Sequence, residues 1–187
     1  MVRGRYDRFF AEANSVFVSA SASSDVPAGK KLVGGAQVGY ARRLYKTEHG
    51  ETSIEAGYDF VYEEYSAVPD AASIHPARLA ILNSTQIGEK SALAVTIEGL
   101  VNLNTERAPN PDGGDTVAPL QDLRTNLSGT LTSPLTEKLN LGLSVKIRSD
   151  RVPAPRPAFS LPYAPGFLPF AESLDTIAEA SVLYTLL

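Results

Sequence analysis

The stretch Leu139-Asn140-Leu141-Gly142-Leu143-Ser144-Val145-Lys146-Ile147-Arg148 decides the fold. Every odd position is aliphatic, and every even one is polar, charged or glycine. An extended strand points alternate side chains to opposite faces, so this segment has one oily face and one wet face. A helical repeat of 3.6 would scatter the same residues around a cylinder. The segment therefore predicts a strand with an apolar medium on one side only.

The same parity extends outward in both directions. Leu123, Thr125, Leu127, Gly129 and Leu131 oppose Asp122, Arg124, Asn126, Ser128 and Thr130. Leu93, Val95, Ile97, Gly99, Val101 and Leu103 oppose Ala94, Thr96, Glu98, Leu100, Asn102 and Asn104. Ile54, Ala56, Tyr58, Phe60 and Tyr62 oppose Glu55, Gly57, Asp59, Val61 and Glu63. Near the end, Leu174, Ala178, Ala180, Val182, Tyr184 and Leu186 oppose Asp175, Ile177, Glu179, Ser181, Leu183 and Thr185. Arg3–Ala11, Ser15–Ala22 and Lys31–Leu44 complete the set, with Arg78–Ile87 the weakest match, for roughly nine strands.

Connections fall into two alternating classes. Short ones lie near Glu12–Asn14, Thr47–Glu51, Gly88–Lys90 and Ser133–Glu137; longer Pro- and Gly-rich ones are Ser24–Gly29, Ala67–Pro76, Glu106–Pro119 and Val152–Glu172. Tight turns at one end and long loops at the other are the plan of an outer-membrane barrel. The expected fold is thus all-β, an antiparallel up-and-down transmembrane barrel occupying residues 1–187 as one domain. Such barrels hold an even number of strands, so the complete wall is expected to have roughly ten to twelve, one or more of them preceding Met1.

Bulk properties agree with that plan and exclude others. The 187 residues carry 17 Lys+Arg against 21 Asp+Glu, a net charge of -4, which gives no footprint for nucleic acid. There is no cysteine, hence no disulfide frame, zinc knuckle or thiol nucleophile. No apolar run reaches the roughly 20 residues of a spanning helix. The mean hydropathy of -0.07 is what alternation between lipid and lumen faces produces. The start, Met1-Val2-Arg3-Gly4-Arg5, lacks the apolar region of a secretory signal, so an exported protein is expected to have lost its native leader.

The wet faces carry charges of both signs: Arg43, Glu55, Asp59, Glu63, Glu98, Asp122, Arg124, Lys138, Lys146, Arg148, Asp175 and Glu179. Inside a narrow barrel such charges must be paired or wetted. The plain reading is an ion-paired polar plug; the functional one is a lining that selects ions or small solutes. A small strand number favours the plug. Tyr62, Tyr65 and Tyr184 fall where an interfacial aromatic girdle belongs. The loop Pro153–Phe170, rich in both Pro and aromatics, is expected to fold over the mouth. The Pro111–Asp115 tract reads as a turn, and Gly34, Gly35 and Gly39 as strand glycines that ease curvature.

Catalytic signals are sparse. His49 and His75 are the only histidines. A hydrolase would be built from His75 with Ser73 and an acid at Glu63 or Glu64. No phosphate loop, dinucleotide fingerprint or metal pair is present, so no cofactor is expected.

Three stretches carry a family likeness: Arg5-Tyr6-Asp7-Arg8-Phe9-Phe10, Val38-Gly39-Tyr40-Ala41-Arg42-Arg43-Leu44, and Ser53-Ile54-Glu55-Ala56-Gly57-Tyr58-Asp59-Phe60-Val61-Tyr62-Glu63-Glu64-Tyr65. Over most of the chain they resemble the salt-induced outer-membrane proteins, a group without known function whose members carry further upstream strands. The resemblance implies a Gram-negative outer-membrane barrel and supplies no catalytic residue. The terminal run Glu179–Leu187 resembles the barrel-assembly signal, with Tyr184 and Leu186 on the outward face, but has Ser181 for the usual glycine and no final aromatic.

The expected function is a non-enzymatic envelope or osmotic-response barrel with limited solute passage. Its expected partners are outer-membrane lipid, the barrel-assembly machinery, and other envelope proteins met through the outer loops. Two other classes remain open: a soluble β-sandwich or lipocalin-like binder with its oily faces inward, and an outer-membrane hydrolase.

Overall fold

Alternation of this kind yields strands from end to end. The computed structural model describes residues 1–156 and 169–184, among which there is no helix. The strands are β1 (Val2–Ala11), β2 (Asn14–Asp25), β3 (Lys30–Lys46), β4 (Gly50–Tyr65), β5 (Ala71–Ile74), β6 (Pro76–Ile87), β7 (Ser91–Asn102), β8 (Leu123–Pro134), β9 (Leu139–Asp150) and β10 (Leu174–Tyr184). They form one antiparallel sheet in the order β1-β2-β3-β4-β6-β7-β8-β9-β10, with β5 beside the upper half of β4. Nine of these are the strands the alternation predicts. The tenth, β5, lies in what the composition marks as loop, because Ala71–Ile74 is too short to show a period.

Two expectations are corrected. The sheet is not closed into a barrel: among the described residues no ladder joins β10 to β1. Nine wall strands leave those edges running the same way, so a direct pairing would be parallel. The connection Val26–Gly29 is a four-residue turn with Gly29 at φ 80°, no longer than Leu135–Lys138 at the other end. The remaining connections on its side are long, at 66–70, 103–122 and 151–173.

The sheet is strongly curled, and the charged faces line the concave side. In a flat sheet β2 and β9, six strand spacings apart, would be separated by about 29 Å. Yet Arg148 Nη1 of β9 lies 3.8 Å from Asp25 Oδ2 of β2, and Lys30 Nζ of β3 lies 3.6 Å from Asp150 Oδ2 of β9. Arg124 of β8 likewise reaches Glu63 of β4 at 2.7 Å. Only a trough with its polar face inward brings these groups together.

Polarity is inverted relative to a water-soluble globule. Leu143 is 42% exposed and Val145 46%, and Val18, Val38, Leu79, Ile81 and Ile97 on β2, β3, β6 and β7 are exposed as well. Glu55, Glu63, Arg78, Asn102, Glu106 and Asp122 are buried. Apolar side chains thus form a belt on the convex face, while the interior is ionic.

Packing within the trough depends on one close approach. The Phe17 ring is buried against the backbone of Gly39, and a Cβ there would fall 2.5 Å from the ring and 2.8 Å from Ala56 O. Gly34, five residues earlier on the same strand, has open space at that position. Gly39→Val is therefore expected to cost about 1–3 kcal/mol by overpacking, and Gly34→Val less than about 0.5. Chemical unfolding followed by circular dichroism measures both; equal midpoints for the two variants would contradict the packing described.

Candidate functional site: an ion-paired trough and its cap

Strand β4 organises the trough. Glu55, Asp59 and Glu63 stand four residues apart on one face, so their carboxylates rise in steps of about 13 Å from the tight-turn end to the loop end. Each step gathers a different set of partners.

At the lowest step Glu55, Ala80 and Glu98 lie side by side on β4, β6 and β7. Ala80 is too small to fill its place in the row. Arg78, two residues along β6 on the same face, reaches diagonally into that space. Its Nη1 donates to Glu55 Oε2 at 2.8 Å and its Nε donates to Glu98. Arg5 of β1 adds a 2.8 Å contact to the other oxygen of Glu55, bonds Asp7, and lies 4.0 Å over the Phe17 ring. Both oxygens of a buried carboxylate are matched to guanidinium forks, the arrangement that offsets its lost hydration.

At the middle step Asp59 accepts a 2.8 Å bond from Gln37 Nε2 beside a cavity of about 150 Å³. Arg3, Ser19, Ser21 and Glu98 complete its polar lining, which suits several waters.

The highest step is the most charged. Glu63, 2% exposed, receives Lys30 Nζ at 2.8 Å and Arg124 Nη1 at 2.7 Å. Arg124 also holds Asp122 at 2.8 Å and Asp150 at 3.7 Å. One guanidinium therefore ties β4, β8 and the end of β9 to a single point.

Above it the connection Leu103–Asp122 turns into the mouth, and we refer to it as the strap. Buried Asn102 anchors it: its side-chain amide donates to Asn104 O and Ala118 O, and its Oδ1 accepts from Asp122 N. Leu120, at φ 66°, takes a backbone shape that costs a non-glycine residue about 1–3 kcal/mol. It is held there by its own N–H to Asn102 O at 2.8 Å. Glu106 and Val117 pair through both backbone bonds, and both are buried. Ala108 packs with Tyr65, Ala72, Ile74 and Ala154, so three long connections meet in one apolar cap.

The charged residues expected on the wet face take unequal places. Glu55, Asp59, Glu63, Glu98, Asp122 and Arg124 join the network just described. Arg43 stands at the tight-turn end, bonded to Glu12 O and paired with Glu51. Lys146 and Glu179 pair at 3.7 Å, and Arg148 reaches Asp25, all partly exposed near the open edge. Asp175 sits opposite Arg148 across the β9–β10 ladder and is exposed. Lys138 is corrected: it lies in the exposed β8–β9 turn and lines nothing. Tyr65 is corrected too: it is buried in the cap with its hydroxyl donating to Glu63, not in a girdle. Tyr184 is exposed on the convex side.

The triad proposed around His75 is not assembled. Its Nδ1 bonds the Tyr58 hydroxyl and its ring meets Phe60 edge-on at 5.3 Å, while Glu63 is buried on the opposite face with Lys30 and Arg124 and Glu64 accepts from the Tyr62 hydroxyl at 3.3 Å. The Pro- and aromatic-rich loop enters the cap through Ala154 and the Pro155–Phe170 bridge. Its residues 157–168, and the last three of the terminal run, lie outside the described residues.

Arg78, Arg5, Lys30, Asp150, Glu106 and Asn102 escaped selection from the sequence. For Arg78 the masking is plain: β6 carries Leu82 on the polar face and Asn83 on the other, so its alternation is poor.

Removing a shared cation from this interior strands several anions. Arg124→Ala is expected to cost about 3–5 kcal/mol, because it leaves Glu63, Asp122 and Asp150 short of a partner. Arg148→Ala, at a half-exposed pair, is expected to cost less than about 1 kcal/mol. Unfolding midpoints in denaturant measure the contrast, and similar losses for the two would contradict it.

Residues 1–109 match a family described as "Protein of unknown function, DUF481". No curated protein matches the chain, and no solved structure does. The matched span runs from β1 through β7 into the strap and carries Arg5, Glu55, Asp59, Glu63, Arg78 and Glu98. It covers 109 of 187 residues, and the chain belongs to that DUF481 family.

Proposed function

We propose that this chain forms the greater part of the wall of an integral β-barrel in a Gram-negative outer membrane, with a non-enzymatic role in envelope integrity or osmotic response. What supports it is the inverted polarity: an exposed apolar belt outside an ionic interior. Exposing that belt to water would be unfavourable at about 25 cal/mol per Å² of apolar surface, whereas lipid tails accept it. The gathering of the long connections at one end, with only tight turns at the other, and the likeness to the salt-induced outer-membrane group support the same location. Because β1 and β10 run in the same direction, an all-antiparallel wall closes only with an odd number of further strands between them. Closure of that kind is part of the proposal, with outer-membrane lipid and the assembly machinery as partners.

The ion-paired steps of β4 and the cap above them favour a plugged lumen. Limited passage of small solutes is the secondary role, through the hydrated space beside Asp59. A lipocalin-like binder would instead need an apolar concave face, and here that face holds Glu55, Arg78, Glu63 and Arg124.

Leu143→Arg separates the alternatives. Near the middle of a lipid-facing strand it is expected to cost about 2–4 kcal/mol of folding into phosphatidylcholine vesicles. On a water-exposed strand the same change stays within about 0.5 kcal/mol. The wild-type chain is expected to need detergent and to migrate differently on gels before and after boiling. A monodisperse, folded protein in detergent-free buffer would overturn the membrane assignment.

A further inference from the structure

The strap ends in an excess of acid. Glu106 and Asp122 are each 1% exposed, and Glu106 Oε1 and Asp122 Oδ1 have no hydrogen-bond partner among the described residues. Facing them are Glu63 and Tyr65 from β4, Lys30 from β3, Arg124 from β8 and Asp150 from the end of β9. The adjoining β9–β10 connection brings Arg156, whose stem lies against Gly29. Lys30 and Arg124 are shared among Glu63, Asp150 and one oxygen of Asp122, so the four carboxylates outnumber the cations even with Arg156 counted as a third. No three ligating side chains come together as a metal site among the described residues. A proton is the counter-charge that fits two buried carboxyls short of partners.

We propose that the strap is a pH-responsive cover, docked in the mouth of the trough while Glu106 and Asp122 hold at least one proton between them, and released when both ionise.

The physical cause is desolvation. Burial, reinforced by the charge of Asp122, pushes Glu106 up from 4.5 to about 7. Burial likewise raises Asp122 to about 6, against the pull of Arg124. A released strap exposes Glu106 to water, where it titrates near its ordinary value. The docked form therefore binds the proton more tightly, and docking is strongest below about pH 4.5. It weakens as pH rises through about 7, by up to on the order of a hundredfold in the docking equilibrium. Ordinary ion-paired carboxylates give the opposite dependence, losing stability as pH falls. Release would expose the Glu106–Val117 bridge to water and withdraw Ala108 from the cap; only the consequence for solute passage rests on the barrel proposal.

Hydrogen exchange read by mass spectrometry on the full chain in detergent tests the docking itself, with or without a membrane role. Protection of the 103–122 segment, corrected for intrinsic exchange rates, is expected to fall at least tenfold from pH 5.5 to 8.5. The β6–β7 hairpin should hold constant. Glu106→Gln, a permanently neutral replacement, is expected to keep the low-pH protection at pH 8.5, and Asp115→Asn at the exposed turn to behave as wild type. Equal wild-type protection at both pH values overturns the proposal even if the Gln variant misfolds, and so does a folded Gln variant that tracks wild type.

Discussion

A charge facing the inside of a curled sheet has little water to turn to, and the structure is arranged around that constraint. Each buried carboxylate on β4 must find a cation or a donor, and the curl of the sheet determines which it finds. Arg124 holds Glu63, Asp122 and Asp150 together, binding strands that are not neighbours in the sheet. Arg78 does the same for Glu55 and Glu98 where Ala80 leaves room. Taking either cation away would leave anions in a medium that cannot solvate them, so the pairs enforce register and curvature as well as contributing stability.

The same constraint accounts for the gradient from the centre of the sheet to its edges. Around the middle of β4 and β6 the inward Glu55, Glu63 and Arg78 are buried and paired. On β1 and β10 both faces are largely exposed, and Lys146, Arg148 and Glu179 make long, half-exposed contacts of little energetic weight. The interior is organised in the middle of the wall and open at its margins. The strap adds a cap at one end only, because the tight turns opposite have no length with which to reach inward.

In the proposed barrel such an interior serves as a rigid plug. Polar groups that satisfy one another are poor at meeting a ligand. The exceptions include the hydrated space near Asp59 and the two carboxyls of the strap.

Nine strands and the face of most side chains were legible in the residues alone, because period-two alternation is a local property. Glu55, Asp59 and Glu63 could be placed on one face by counting, since four residues along a strand return to the same side. What counting could not decide was which charges meet. Arg124 and Glu63 are 61 residues apart and come together only because three intervening spacings bend. Tyr65 follows the parity of Glu55, Asp59 and Glu63 and so belongs inside rather than in a girdle, whereas Lys138, a turn's last residue, obeys turn geometry and not parity. The short β5 and the burial of Glu106 carry no period at all, and the period that puts Asn102 on the polar face says nothing of the strap it anchors. Sequence by itself determined strands and faces; which face turns inward, the curvature, the ion pairing and the docking of the strap were decided only by tertiary structure, because they depend on distances across the sheet that no local pattern encodes.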